Sequence, residues 1–255
     1  MQNRIFSVDS AKAIKAQSYG YLNAIQYLAP ASTSGFNLCP WSTVSCRALC
    51  LGWFSGQAGM VTNQASSDAQ SNSVRQSRLD KSRRFMRDRR AYMRDVVKSI
   101  ELLQRRAARM FLLLCVRMNG ATDIAWEGVP CERNGVPYRN IFEAFPDVQF
   151  VDYTKGATRL YRKRPENYHL TLSYTGENES DCRKALAAGH NVAVCFDALP
   201  AAFLGVDVID GDKHDLRHLD PKGVIVGLLP KGRAAKADKS GFVVRGIAGI
   251  TSKAA

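Results

Sequence analysis

The chain has 255 residues, 45% apolar and 23% charged, with a formal net charge of +13. That balance fits one sizeable globular domain and excludes a disordered chain. No apolar run reaches the ~18 residues of a membrane span, and residues 1–6 lack the apolar stretch of a secretion signal, so no membrane association and a cytoplasmic location are expected.

Residues 1–20 form an N-terminal segment with a short helical pattern at 11–16. Residues 24–29 read as a strand, followed by a turn-rich link over 30–35. A cysteine loop and linker then run over 35–73, and Gly, Ser, Gln and Asn dominate 55–73. Apolar residues recur at helical intervals over 73–109 with no Pro or Gly between them, which predicts one long helix. Residues 110–118 are an apolar run that ends at Asn119-Gly120, as a buried parallel strand does. A short helix is expected at 140–145 and another helix at 180–188. Further strands are expected at 148–153, 168–173, 191–196, 206–209 and 223–228. Residues 249–255 read as a frayed tail, and no repeats occur. Strands alternating with helices predict a single α/β domain over 1–255. About six strands make it a partial (β/α) barrel or an open parallel sheet carrying a long basic helix.

Three of the seven cysteines, Cys39, Cys46 and Cys50, lie within twelve residues at spacing C-x6-C-x3-C. Their loop follows the first strand. Three thiolates leave one coordination position open, whereas four make a closed structural zinc site. A [4Fe–4S] cluster held this way keeps one iron for a small molecule. Two alternatives stand beside it. One is zinc with a fourth ligand from His169, His190, His214, His218 or another cysteine. The other is no metal, with the thiols as small buried apolar groups. Cys115 and Cys195 lie in apolar runs and read as core.

The charge is concentrated. Thirteen basic and four acidic residues fall between Arg75 and Arg109. Such a surface attracts polyanions, and Arg83, Arg84, Arg87 and Arg90 are the candidate contacts to nucleic acid or a nucleotide. The alternative is a solvated helix face with local ion pairs.

In parallel α/β folds, ligands sit at the carboxyl ends of the strands. Here those ends carry Asn119, Asp123 and Glu127, then Asp152, Tyr153 and Lys155, then Ser173 and Asn178. Asp123, Glu127 and Lys155 are candidate acid/base groups. Each of these residues is also a common cap or turn former.

Three segments carry a resemblance: 116–127 (VRMNGATDIAWE), 145–155 (FPDVQFVDYTK) and 165–173 (PENYHLTLS). With the Cys39…Cys46…Cys50 loop, they resemble a poorly characterised family encoded by bacteriophages and plasmids, similar to mycobacteriophage gene product eighty-eight. The resemblance spans roughly 38–244 and implies a protein of an infected or plasmid-bearing bacterial host. The order of parts also resembles radical S-adenosylmethionine enzymes, in which a three-Cys loop follows the first strand of a partial barrel. That second resemblance implies S-adenosylmethionine as cofactor, with Asn119, Asp123, Tyr153, Ser173 and Asn178 around it. The cysteine spacing departs from the usual C-x3-C-x2-C, and no Gly-Gly-Glu ends the second strand. The expected function is an iron–sulfur enzyme acting on a nucleotide or nucleic acid. The alternatives are a non-catalytic nucleic-acid-binding or host-takeover protein with structural zinc or no metal, and a metal-free acid/base enzyme.

Overall fold

A computed structural model describes residues 5–59 and 72–247. Most of the expected 55–73 loop and all of the 249–255 tail lie outside the described residues. The strands are β1 (Phe6–Ser7), β2 (Tyr21–Gln26), β3 (Leu113–Arg117), β4 (Cys131–Arg133), β5 (Val136–Tyr138), β6 (Gln149–Thr154), β7 (Tyr168–Ser173), β8 (Val192–Phe196), β9 (Ala202–Phe203), β10 (Val206–Asp210), β11 (Ile225–Leu228) and β12 (Val243–Val244).

Ten of them form one sheet in the order β1-β2-β3-β6-β7-β8-β11-β10-β9, with β12 also paired to β8. The seven strands from β2 to β10 along this path run parallel, and β1 and β9 cap its edges antiparallel. The expected α/β class with a mainly parallel sheet is therefore present. The count of about six strands is too low, because two-residue strands carry no periodicity to read. The two edges do not pair, so the sheet is open among the described residues.

Side-chain alternation splits the sheet into two faces. Leu22, Ala24, Leu114, Val116, Phe150, Leu170, Leu172 and Val194 point into the main core. Tyr92, Val96 and Ile100 of the helix Arg89–Arg109 pack there, with Phe142 of Ile141–Ala144 and Cys182 and Leu186 of Glu179–Ala187. Phe142 stacks on Tyr168 with ring centroids 3.7 Å apart. The opposite face carries Asn23, Cys115, Arg117, Tyr153, His169 and Thr171, a polar set for strands this deeply placed.

The expected single helix over 73–109 is two helices, Ser73–Arg87 and Arg89–Arg109. Asp88 leaves the helical region (φ −139°, ψ 71°), and its carboxylate accepts from Ala91 N at 3.0 Å. A side-chain cap thus breaks the chain without Pro or Gly. The first expected strand is displaced to Tyr21–Gln26.

Candidate functional site

The carboxyl ends of the parallel strands open into a cleft of about 610 Å³. Arg117, Tyr153, Ser173 and Cys195 form its floor from the face opposite the helices. Cys39, Cys46 and Cys50 line it from the loop after β2, Asn119 and Asp123 from the loop after β3, and Lys155 from the end of β6. Eight of the residues singled out from sequence therefore meet at one place. Glu127 and Asn178 are not among the lining residues, and none of the four histidines is. Cys195, read as core, is half-buried and forms part of the floor.

The cysteine loop is built locally. Thr43 caps the helix Val44–Ala48, its hydroxyl accepting from Cys46 N at 3.1 Å. Cys39 Sγ accepts from Ala31 N at 3.2 Å and faces the Ala121 carbonyl at 3.8 Å. Cys50 leads into the turn Leu51–Phe54. That turn is clamped by the helix Ser73–Arg87. Arg75 donates to Ala58 O at 2.7 Å and Trp53 O at 2.9 Å, and its guanidinium lies over the Trp53 ring. Arg78 donates to Gly52 O and lies over Tyr27. Part of the basic surplus read from sequence is thus turned inward to hold the loop. Lys81 is buried with it, and desolvation with Arg78 nearby lowers its ammonium to about 8.

Burial pushes the Cys39 thiol up to about 11, against the Ala31 N–H and with Cys50, Asp123 and Cys46 adding to the rise. Burial and the neighbouring Cys46 raise Cys50, while the Gly52 N–H, Lys155 and Arg78 pull it down. The three sulfurs therefore share one electrostatic environment, and two cations stand beside Cys50. Among the described residues, no three His, Cys, Asp or Glu side chains are gathered tightly enough to enclose an ion. The donor chemistry fits a thiolate-bound cluster.

The loop after β3 is fixed by two linked networks. Asn119 Oδ1 accepts from Thr122 Oγ1, Ile124 N and Trp126 Nε1 at 2.9, 2.9 and 3.0 Å. Asn119 N donates to Asp152 Oδ1 at 2.7 Å, and Tyr168 Oη donates to Asp152 Oδ2 at 3.1 Å. Desolvation raises the Asp152 carboxyl to about 7 against those bonds and against Arg117 and Arg159. Asp123 accepts from Lys155 N and Arg159 Nη1, each at 2.8 Å. Glu127 takes Arg159 through both oxygens, at 2.8 and 2.7 Å. Trp41, two residues after Cys39, lies over the same guanidinium at 5.3 Å. Asn178 bridges Ser173 O and Thr175 N, so it shapes the turn after β7.

Arg159 and Arg117 are the central residues that sequence reasoning missed. Arg117 carried a signal, a charge at the end of a buried apolar strand. It pairs with Asp215 at 3.7 Å and lies over Tyr153 at 4.7 Å. Arg159 sits in an irregular turn with no pattern to betray it. Lys155 differs from the other cations in the wall. Lys231 is held by Asp212 at 2.7 Å, whereas Lys155, whose ammonium acts on Cys50 and Asp123 and lies 6.0 Å from the Phe242 ring, makes no ion pair among the described residues.

The candidate nucleic-acid arginines lie apart from the cleft wall. Arg84 pairs with Asp95, Arg90 with Glu132 at 3.2 Å, and Arg83 reaches Ser34 O at 3.5 Å. Arg87 is exposed. No helix among the described residues is long and apolar enough to cross a membrane.

The family model described as Gene product 88 matches residues 4–246, and the chain belongs to that family. No curated protein matches the chain. No solved structure matches it.

Proposed function

We propose that this Gene product 88 family member is an iron–sulfur enzyme. In this reading Cys39, Cys46 and Cys50 hold a [4Fe–4S] cluster, the cleft receives S-adenosylmethionine, and the substrate is a nucleotide or nucleic acid. The observation that carries the reading is the convergence of all three loop cysteines with the ends of β3, β6 and β7 on one cleft of about 610 Å³, a size suited to a small cofactor.

When bound, the cluster and S-adenosylmethionine supply reductive radical chemistry. The chain's residues bind and position. Lys155 offers an ammonium beside Cys50 and Asp123 to an anionic ligand group, since it makes no ion pair among the described residues. Ser173 offers a hydroxyl from the floor, while the Tyr153 hydroxyl is buried beneath it. Asn119 and Asp123 act through the backbone they fix, because their side-chain acceptors are occupied. Arg159 and Glu127 hold that backbone from behind.

The test is binding of S-adenosylmethionine to anaerobically reconstituted protein, with a search for 5′-deoxyadenosine after reduction. Saturable binding that is lost in Lys155→Ala supports the reading. Absence of both binding and product overturns it.

A further inference from the structure

A second concavity, about 390 Å³, lies between the first turns of the helix Arg89–Arg109 and the β4–β5 hairpin. Its two walls differ in kind. Arg89, Arg90 and Arg94 of the helix form one, and Pro130 and Pro137 of the hairpin side form the other. Its one acid, Glu132, is taken by Arg90 at 3.2 Å. That pair is solvent-facing, at 80% and 44% side-chain exposure, so it contributes little and exchanges readily for another anion. No carboxylate among the described residues lies within salt-bridge distance of Arg87, Arg89 or Arg94. Arg89 is held over the Phe85 ring at 4.9 Å, which fixes its guanidinium before any ligand arrives. On the hairpin side, Pro130 and Pro137 are exposed, so apolar surface faces the arginines across the groove.

We propose that this groove binds a single strand of nucleic acid, its phosphates along Arg89, Arg90 and Arg94 and its bases against Pro130 and Pro137. A basic wall alone takes any polyanion. An apolar wall opposite it rewards bases that are not already stacked in a duplex, which selects the single strand. Helix Arg89–Arg109 runs into β3 at its carboxyl end, so its first turns lie at the cleft's end of the sheet. Tyr92 confirms the placement, donating to Gln26 at the end of β2 at 2.9 Å. A strand in the groove therefore lies at the same end of the sheet as the cleft, although the two share no lining residue. The inference rests on the substrate half of the proposed function and not on the cluster.

The experiment is fluorescence anisotropy of a short labelled single strand with the full chain, with iron content measured on the same samples. Affinity should fall as salt rises from about 50 to about 200 mM, with a log–log slope near −2 for three phosphate contacts. Arg89→Glu with Arg94→Glu should weaken binding at least ~10-fold with an unchanged melting temperature. Arg105→Glu with Arg109→Glu, at the other end of the same helix, should change it less than ~2-fold. A Pro130→Ser, Pro137→Ser variant should lose the preference for single strand over duplex. No binding at low salt, equal losses in the two arginine variants, or tighter binding of duplex would each overturn the proposal. Binding that survives in iron-free protein separates this result from the cluster's.

Discussion

Arg159 Nη1 stands 2.8 Å from Asp123 Oδ1 with the arginine side chain wholly buried. The other Asp123 oxygen accepts from Lys155 N, so one buried carboxylate joins the loop after β3 to the end of β6. Arg159→Met would keep the volume and leave Asp123 and Glu127 without their cation. Breaking a buried pair by removing one partner costs about 3–5 kcal/mol. Urea unfolding should show a loss in that range. A loss below ~1 kcal/mol would mean that the network is dispensable and that the carboxylates are available for chemistry.

Contact between the cysteine loop and the loop after β3 depends on Gly52. A Cβ there would lie 2.2 Å from Ala121 Cβ. Gly52→Ala should therefore push the two loops apart and lower cluster loading several-fold, while the core, which this contact does not support, stays folded. Ala121→Gly in the same chain removes the clashing carbon and should restore most of the loading. Full loading in Gly52→Ala alone would show that the loops need not touch.

Asp152 sets a pH dependence. Burial holds its carboxyl at about 7, above the 3.8 of an unfolded chain. The folded state therefore binds a proton that the unfolded state has already released. This favours folding below about pH 4, and the benefit fades as pH rises towards 7. Asp220, raised to about 6, adds to the same trend. Asp152→Asn should flatten the decline in stability between pH 4 and 7 relative to wild type, by up to a few kcal/mol. Identical pH profiles for the two proteins would rule out a raised carboxyl at this position.

The buried strands were legible because apolar runs bounded by Gly, Asn and Pro have few other readings, and β7 matches the expected 168–173. The loop cysteines and the polar strand ends were legible for a topological reason. Parallel strands deliver all their carboxyl ends to one edge, so knowing the strands places the loops. The Asp88 break was not legible, since Asp inside a basic helical pattern looks like an ion-pair partner. The β4–β5 hairpin did leave a mark. Asn134 and Gly135 adopt φ of 52° and 77°, the left-handed pair that an Asn-Gly turn serves. The Arg159 network had none, because long-range ion pairs arise from tertiary placement and leave no periodic trace.

The proposed function requires Cys39, Cys46 and Cys50 together to hold one [4Fe–4S] cluster. Iron and acid-labile sulfide should be counted after anaerobic reconstitution of the wild type, of the single Ala variants at these three positions, and of Cys115→Ala. About four iron and four sulfide per chain are expected in the wild type and in Cys115→Ala, and loss of most of both in each loop variant. A colourless wild-type protein, one zinc per chain, or iron that survives loss of the loop cysteines would contradict it.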